Sequence, residues 1–392
     1  MNKEQFMLEL DRKLSGLALG ERKVIVDYFT EMIDDRMEDG LTEEEAVDAL
    51  GDVDQIIHET MPESGAPSPA ASGDCVHFFE PIQTLTFHCA SENIFVETAD
   101  LMNGETGRID LSGSKDCTCL LQNGVLTIRS ESNRLHTLFR LSGSRFSGTI
   151  RLTLARKPLE SAKIHTLDGG ISVDGLNLSG TLKADSSSGD LELKDVQSIR
   201  LHAKSASGDL FIHSVDCQEI VLETASGDLE LQNACCSQVL SVQTRSGGLM
   251  LQDVRCAELQ AHCASGDTQL TRLKADKAIV ESASGNLDLE ALQIQGSLDL
   301  RASSGDIQLR SASAENASLQ TSNGDLHLSG VDARRILLST SLGDISGDLA
   351  GSTSQYTFRA HSQSGNVRVP DSRGERIVEA WTASGDINLQ AQ

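Results

Sequence analysis

Eight residues recur along the second half of the chain almost unchanged. SSSGDLEL stands at 186–193, SASGDLFI at 205–212, TASGDLEL at 224–231, ASSGDIQL at 302–309, TSNGDLHL at 321–328 and TASGDINL at 382–389. The repeated glycines are Gly169, Gly189, Gly208, Gly227, Gly247, Gly266, Gly285, Gly305, Gly324, Gly343, Gly365 and Gly385. Successive gaps are 20, 19, 19, 20, 19, 19, 20, 19, 19, 22 and 20 residues. A period this tight means stacked structural units, each too small to bury its own apolar face.

Side-chain chemistry keeps the same register. Two and four residues after the glycine come Leu191 and Leu193, Leu210 and Ile212, Leu229 and Leu231, Ile307 and Leu309, Leu326 and Leu328. Seven and five residues before it come Leu201 and Ala203, Ile220 and Leu222, Leu240 and Val242, Ile336 and Leu338. Both sets alternate with polar residues, as a strand with one buried face does. A third apolar position falls seven after the glycine, at Val196, Val215, Ala234, Val254 and Leu273. Each repeat is therefore expected to hold two short strands joined by tight turns. Stacking at about 4.8 Å per coil pairs like strands in parallel around one interior. The fold expected is mainly β, a parallel β-solenoid of about ten or more coils, right-handed by the crossover preference. An array of β-sandwiches would not hold identical inward positions at a fixed period.

The repeated octet reads as a corner. Six glycine–aspartate pairs carry it most clearly: Gly189 and Asp190, Gly208 and Asp209, Gly227 and Asp228, Gly266 and Asp267, Gly305 and Asp306, Gly324 and Asp325. Glycine supplies the positive φ that a tight turn needs. The Asp, replaced by Asn at Asn286 and Asn366, is expected to bond its own backbone. Ser205, Thr224, Thr244 and Thr321 are small enough for the corner and can hydrogen-bond along the stack.

Composition suits a narrow interior, since only 3% of residues are aromatic. The net charge of −25 repels phosphate backbones and anionic membrane surfaces, so no nucleic-acid partner is expected. No run approaches the roughly 18 apolar residues of a membrane span. The start, MNKEQFMLELDRKLSGL, lacks the apolar core of a secretory signal, so the expected location is the cytoplasm. Nine cysteines without a secreted disulfide spacing fit reduced thiols there.

Residues 1–62 read as an acidic α-helical domain. Phe6, Leu10, Leu14 and Leu17 form one stripe, and Val24, Ile25, Tyr28, Phe29, Met32 and Ile33 a second. Thr42 with Glu45 forms a capping box for a third helix. The segment holds 17 Asp or Glu against 6 Lys or Arg. Residues 63–75, with the proline-rich PESGAPSPAASGD at 62–74, read as a flexible linker. Residues 76–168 alternate like strands less regularly, as early coils or a cap, with a loop near LHTLFRLSGSRFSG. Residues 169–392 form the regular solenoid.

Two resemblances follow from these segments. MNKEQFMLELDRKLSGL, YFTEMIDDRMEDG and LTEEEAVDALGDVDQII resemble the bacterial HAAS-type helical signalling domain. That family implies a head placed before an envelope-associated module, in proteins linked with PadR-type regulators. The repeated S-G-D-[LI]-x-[LV] resembles the bacterial "putative adhesin" β-solenoid family, a domain of unknown function.

The Asp column and a cysteine column are the candidate sites. Stacked carboxylates at Asp190, Asp209 and Asp228 could attract calcium, but the nine-residue glycine–aspartate ligand pattern is absent and Gly248, Asn286 and Asn366 interrupt the charge. The turn role is preferred, with no metal and no cofactor. Cys217, Cys236 and Cys256 each lie nine residues after their glycine, a ladder of thiols one coil apart. It reads as small apolar filler rather than a redox or metal site. No Ser–His pair, phosphate loop or metalloprotease motif is present, so no enzyme is expected. The function expected is a non-catalytic scaffold or sensor. Its head, residues 1–62, binds a protein partner, and its rod presents an interaction surface or associates end to end with a second copy. A surface adhesin binding carbohydrate or host protein is the alternative.

Overall fold

The computed structural model describes residues 75–111, 114, 117–130 and 148–391, and in the head Lys3, Phe6, Met7, Arg12, Lys13, Ile33, Thr42 and Glu43. The chain divides into two compact units, residues 1–69 with 131–145 and residues 70–130 with 146–392. In the first unit Lys3, Phe6, Met7, Arg12, Lys13, Ile33 and Glu43 are helical, and Phe6 and Ile33 are fully buried. The Lys3 backbone N–H donates to the Glu43 carboxylate at 2.8 Å. The rest of both apolar stripes, Glu45 of the capping box, linker residues 63–74 and the expected loop over 135–147 lie outside the described residues.

The second unit is a β-solenoid of about 12 turns. Strands β11 (Leu191–Ser205), β12 (Leu210–Ser226), β13 (Leu229–Ser246), β14 (Leu249–Ser265) and β15 (Thr268–Ser284) each run round most of a coil. They stack in parallel with like residues opposite, as in Leu191–Leu210–Leu229–Leu249 and Leu201–Ile220–Leu240–Leu259.

Each coil has three sides, not two. In the coil that starts at Gly208, Leu210 and Ile212 face inward from the first side, Val215 and Cys217 from the second, and Ile220, Leu222 and Thr224 from the third. The bend between the first two sides falls six residues after the glycine. There Asp195, Ser214, Asn233, Asp253, Arg272, Ala291 and Ser311 all take φ between 51° and 58°. This is the left-handed region, which costs an L-residue about 1–2 kcal/mol. Gly175 and Gly330 occupy the same position without that cost, at φ 74° and 62°. The second side uses short residues, so its alternation is faint in the sequence.

Both ends of the stack depart from chain order. Near the start, β2 (Thr84–Cys89) and β3 (Asn93–Ala99) form a coil. The chain then moves outward to β6 (Val125–Ser130) and β7 (Thr149–Ala155), and returns to β8 (Ser161–Thr166) and β9 (Ile171–Asp174) on the inner side of β2 and β3. The outermost coil is covered by antiparallel strands. β5 (Cys117–Gln122) pairs with β6 through an Asn123–Gly124 turn, φ 51° and 79°, the pair of positive angles a two-residue hairpin prefers. β4 (Gly107–Asp110) pairs with β7, and β1 (Cys75–Phe78) with β4. Residues 76–168 are thus both early coils and a cap.

The other end mirrors this. From β20 (Leu326–Leu342) and β21 (Ile345–Leu349) the chain passes to the outermost coil, β22 (Tyr356–Ser362) and β23 (Val367–Arg368). It then returns as β24 (Arg376–Ser384) and β25 (Ile387–Ala391), which lie between the two. The sequence suggests that EAWTASGDINLQAQ is the open last coil. The structure corrects this: that segment is internal, and β22 and β23 carry the outer edge.

Candidate functional site: the corner ladder and the cysteine column

The corner glycines stack so closely that no side chain fits. A Cβ on Gly189, Gly208, Gly227, Gly266, Gly305 or Gly324 would lie 2.0–2.4 Å from the carbonyl oxygen of the preceding corner glycine. From Gly227 onward most of these residues also hold positive φ, such as 155° at Gly227, 133° at Gly266 and 157° at Gly324. Gly169, Gly189 and Gly208 do not, so in the early coils crowding alone imposes glycine. The hydrogen bonding changes with the geometry. Gly189 and Gly208 donate to the hydroxyls of Ser186 and Ser205, both at 2.8 Å. Gly227 donates instead to the Ser246 carbonyl of the next coil at 2.9 Å.

A buried hydroxyl sits three residues before each of many corners. Ser186, Ser205, Thr224, Thr321, Thr340 and Thr382 donate to the corner-glycine carbonyl of the neighbouring coil at 3.0–3.3 Å. Thr244 shares the column, but its hydroxyl has no partner.

The residue after the glycine builds a second ladder, and here the sequence expectation is corrected. Its side chain does not bond its own backbone. Asp190 Oδ1 accepts the backbone N–H of Asp209 at 2.9 Å, and Asp209 Oδ1 that of Asp228 at 2.7 Å. Further on, Asp267 accepts from Asn286, Asn286 from Asp306, Asp306 from Asp325, and Asp325 from Asp344, at 2.7–3.0 Å. The ladder then runs Asp344, Asp386, Asn366, following the stacked order rather than the chain order. Each carboxylate is spent on a charge-assisted bond to the next coil. The bond from the Asn366 backbone holds the Asp386 carboxyl below the ordinary carboxylate range. Gly248 receives no side chain from this pattern, so the ladder stops there: Asp228 accepts from Gly248 at 2.7 Å, and Gly248 has nothing to offer Asp267.

Cys217, Cys236 and Cys256 are register partners in three successive coils. All three are buried, on the second side, in a column of small residues that begins with Ser198 and continues to Ala275. Burial raises each thiol, Cys256 to about 12. Cys217 Sγ lies 3.2 Å from Ser198 Oγ, and Cys236 Sγ donates to the Gln218 carbonyl at 3.1 Å. Among the described residues no three His, Cys, Asp or Glu side chains are grouped to hold a metal ion. His202 is half-buried and His262 exposed, in neighbouring outward files of different coils.

Corner and columns repeat through two consecutive segments. The family model described as Toastrack DUF4097 matches residues 82–239 and again residues 236–390. The chain belongs to the Toastrack DUF4097 family. The two Toastrack matches meet inside β13, where pairing to β12 and β14 continues on both sides, so two family units share one unbroken stack. A second model, HAAS, matches residues 5–59. Among curated proteins none matches this chain. One similar solved structure is a putative adhesin from Bacteroides fragilis NCTC 9343, 10% identical, covering 83% of this chain and 99% of its own, with a TM-score of 0.27. Another is a putative cell adhesion protein from Clostridium sporogenes ATCC 15579, 8% identical, covering 82% and 100%, with a TM-score of 0.15. Both likenesses are remote. Among the described residues no helix is long and apolar enough to cross a membrane.

Proposed function

We propose that this Toastrack protein is a non-catalytic scaffold in a signalling assembly, with the HAAS head as the part that engages a protein partner and the solenoid as a rigid interaction surface. The observation that carries this reading is the use made of the repeated polar residues. Most of the Ser, Thr and Asp side chains that recur at the corners, the natural raw material of an active site, are committed to bonds between coils. What the repeats build is a stiff, regular body whose outward positions vary from coil to coil, as a recognition surface requires.

The head supplies the partner reading. Its charge balance, 17 acids to 6 bases, favours a basic surface on the partner, and the HAAS match supports a bacterial signalling role tied to PadR-type regulators. The assembly forms in the cytoplasm. A second copy adds at the outer edge of β22 and β23; among the described residues β22 pairs only with β24. The test mixes the full chain with a PadR-type regulator of the source organism and follows co-elution on size exclusion. Co-elution that disappears when Phe6 and Ile33 are replaced by Asp supports the head as the docking element. Protease treatment of intact cells decides the location: protection until lysis supports the cytoplasmic scaffold, and digestion replaces it with the adhesin reading.

A further inference from the structure

On the third side of each coil two residues point outward, between the buried ones. In the first five coils of the stack the register pairs set them in two files. One file is Thr127, Thr86, Lys163, Lys183 and His202. The other is Arg129, His88, His165, Asp185 and Lys204. Every one of these side chains is exposed or half-buried. The two files hold two lysines and a histidine, and an arginine, a lysine and two histidines, against one aspartate, in a chain of net charge −25. Asp185 is paired with Lys183 at 3.2 Å and Lys204 with Glu223 of the next coil at 2.7 Å. Among the described residues Arg129 and Lys163 take part in no ion pair. Beyond this stretch the same files become Val221, Ser241 and Gln260, and Glu223, Gln243 and His262. Further along the same files Arg301 and Arg359 recur, but each is paired with acids, Arg301 with Glu281 and Asp299 and Arg359 with Glu379, so the excess of positive charge lies in the first five coils.

We propose that this strip binds an acidic polysaccharide, a linear polymer of carboxylate-bearing sugars laid along the solenoid axis. Neighbouring residues in each file are one strand spacing apart, about 4.8 Å, so Arg129, Lys163, Lys183 and Lys204 are spread over five coils along the axis rather than gathered in one cluster. Cations spread along an axis neutralise a linear polyanion and release its counterions in a way a single basic site does not. Thr86, Thr127 and the three histidines add hydrogen-bonding groups suited to sugar hydroxyls. The strip has no Phe, Tyr or Trp on which nucleic-acid bases would stack. Nor does it offer the apolar pocket that anchors most protein partners. The acidity of the remaining surface keeps the polymer on the strip. This inference rests on the solenoid's proposed role as an interaction surface and needs nothing from the head.

The experiment measures binding of the full chain to immobilised polygalacturonate, with dextran, poly-glutamate and oligo-deoxythymidylate as comparison surfaces. Binding to polygalacturonate above all three, weakening steeply between about 50 and 200 mM salt, is expected. Lys163→Glu with Lys183→Glu should weaken it about tenfold or more without altering the melting temperature. Arg255→Glu with Lys274→Glu serves as the control. These two cations also neighbour each other in register, but on the second side of the coil. Equal loss with the control pair, stronger binding to poly-glutamate or to the oligonucleotide, or no binding to polygalacturonate would each overturn the proposal. Co-elution of the strip variants with the regulator reads the head separately, so failure here is distinct from failure of the scaffold reading.

Discussion

Gly248→Asn should stabilise the solenoid, because it mends the one internal gap in the Asx ladder. The backbone there avoids positive φ, so an L-residue is not strained. A Cβ would stand 3.6 Å from Asp228 Oδ1 and 3.7 Å from the Asp267 carbonyl, ordinary contact distances. Two coils away Asn286 makes the required bond, accepting the Asp306 N–H at 3.0 Å. The new bond is partly exposed and is worth about 0.5–1.5 kcal/mol. Replacing glycine also removes about 0.4–1 kcal/mol of unfolded-chain entropy. The sum is about 1–2.5 kcal/mol. Gly248→Ala captures only the entropic part, so the difference between Asn and Ala isolates the bond. Chemical denaturation gives the two stabilities, and hydrogen exchange of the Asp267 amide reports the bond directly. If Asn is no more stable than Ala and the Asp267 amide exchanges as fast as before, the ladder does not contribute to stability and this account of the corner fails. Gly248→Asp should gain less than Asn, since it sets a third carboxylate between Asp228 and Asp267, and added salt should narrow that difference.

Further outcomes follow from the same geometry. Gly227→Val, whose Cβ would lie 2.4 Å from the Gly208 carbonyl, should cost about 3 kcal/mol or more, while Glu230→Gln on the outer face stays within about 0.5 kcal/mol; equal melting shifts would contradict the register. Ala291→Gly, at φ 58°, should stabilise by about 0.5–1 kcal/mol, the relief of left-handed strain exceeding the entropy of glycine; a lower denaturation midpoint would refute the second bend. A thiol reagent should label Cys75 and Cys235 quickly in the native protein and the buried thiols only on unfolding; rapid labelling of Cys217, Cys236 or Cys256 would place the ladder at the surface. The Asp386 carboxyl is depressed in the folded chain, so its contribution is present above the ordinary value of 3.8 and is lost as pH falls through the lower folded value; Asp386→Asn keeps the acceptor and should flatten that part of the acid-stability profile.

The sequence exposes some layers of this fold and hides others, for physical reasons. The first and third sides are legible because Leu, Ile and Val alternate with polar residues there, and the corner because nothing but glycine fits. The second side is hidden because its second inward position takes Ser198, Cys217, Cys236 and Ala275, which carry little hydropathy contrast. The bend before it is hidden because Asp, Ser, Asn, Arg and Ala all accept the left-handed conformation at a modest cost, leaving only Gly175 and Gly330 as signals. The cysteine column is legible as a spacing, and the structure adds its reason, a narrow interior position. The direction of the Asx bond is not legible, since an Asp in a corner reaches its own backbone as readily as its neighbour's. The exchange of coils at the ends leaves only the longer gap of 22 residues between Gly343 and Gly365.

That exchange bears on how such a chain can change length over time. At each end the chain builds the outer coil before or after an inner one that is clamped between two neighbours. A residue run following β25 would leave from between two coils and have no free edge on which to continue the stack. Duplication of a single unit between about Gly189 and Gly343 would meet no such obstacle: the new coil would inherit its corner, its hydroxyl and its Asp, and lengthen the rod by about 4.8 Å. The ends are fixed fittings, and the middle is where this molecule can lengthen or shorten.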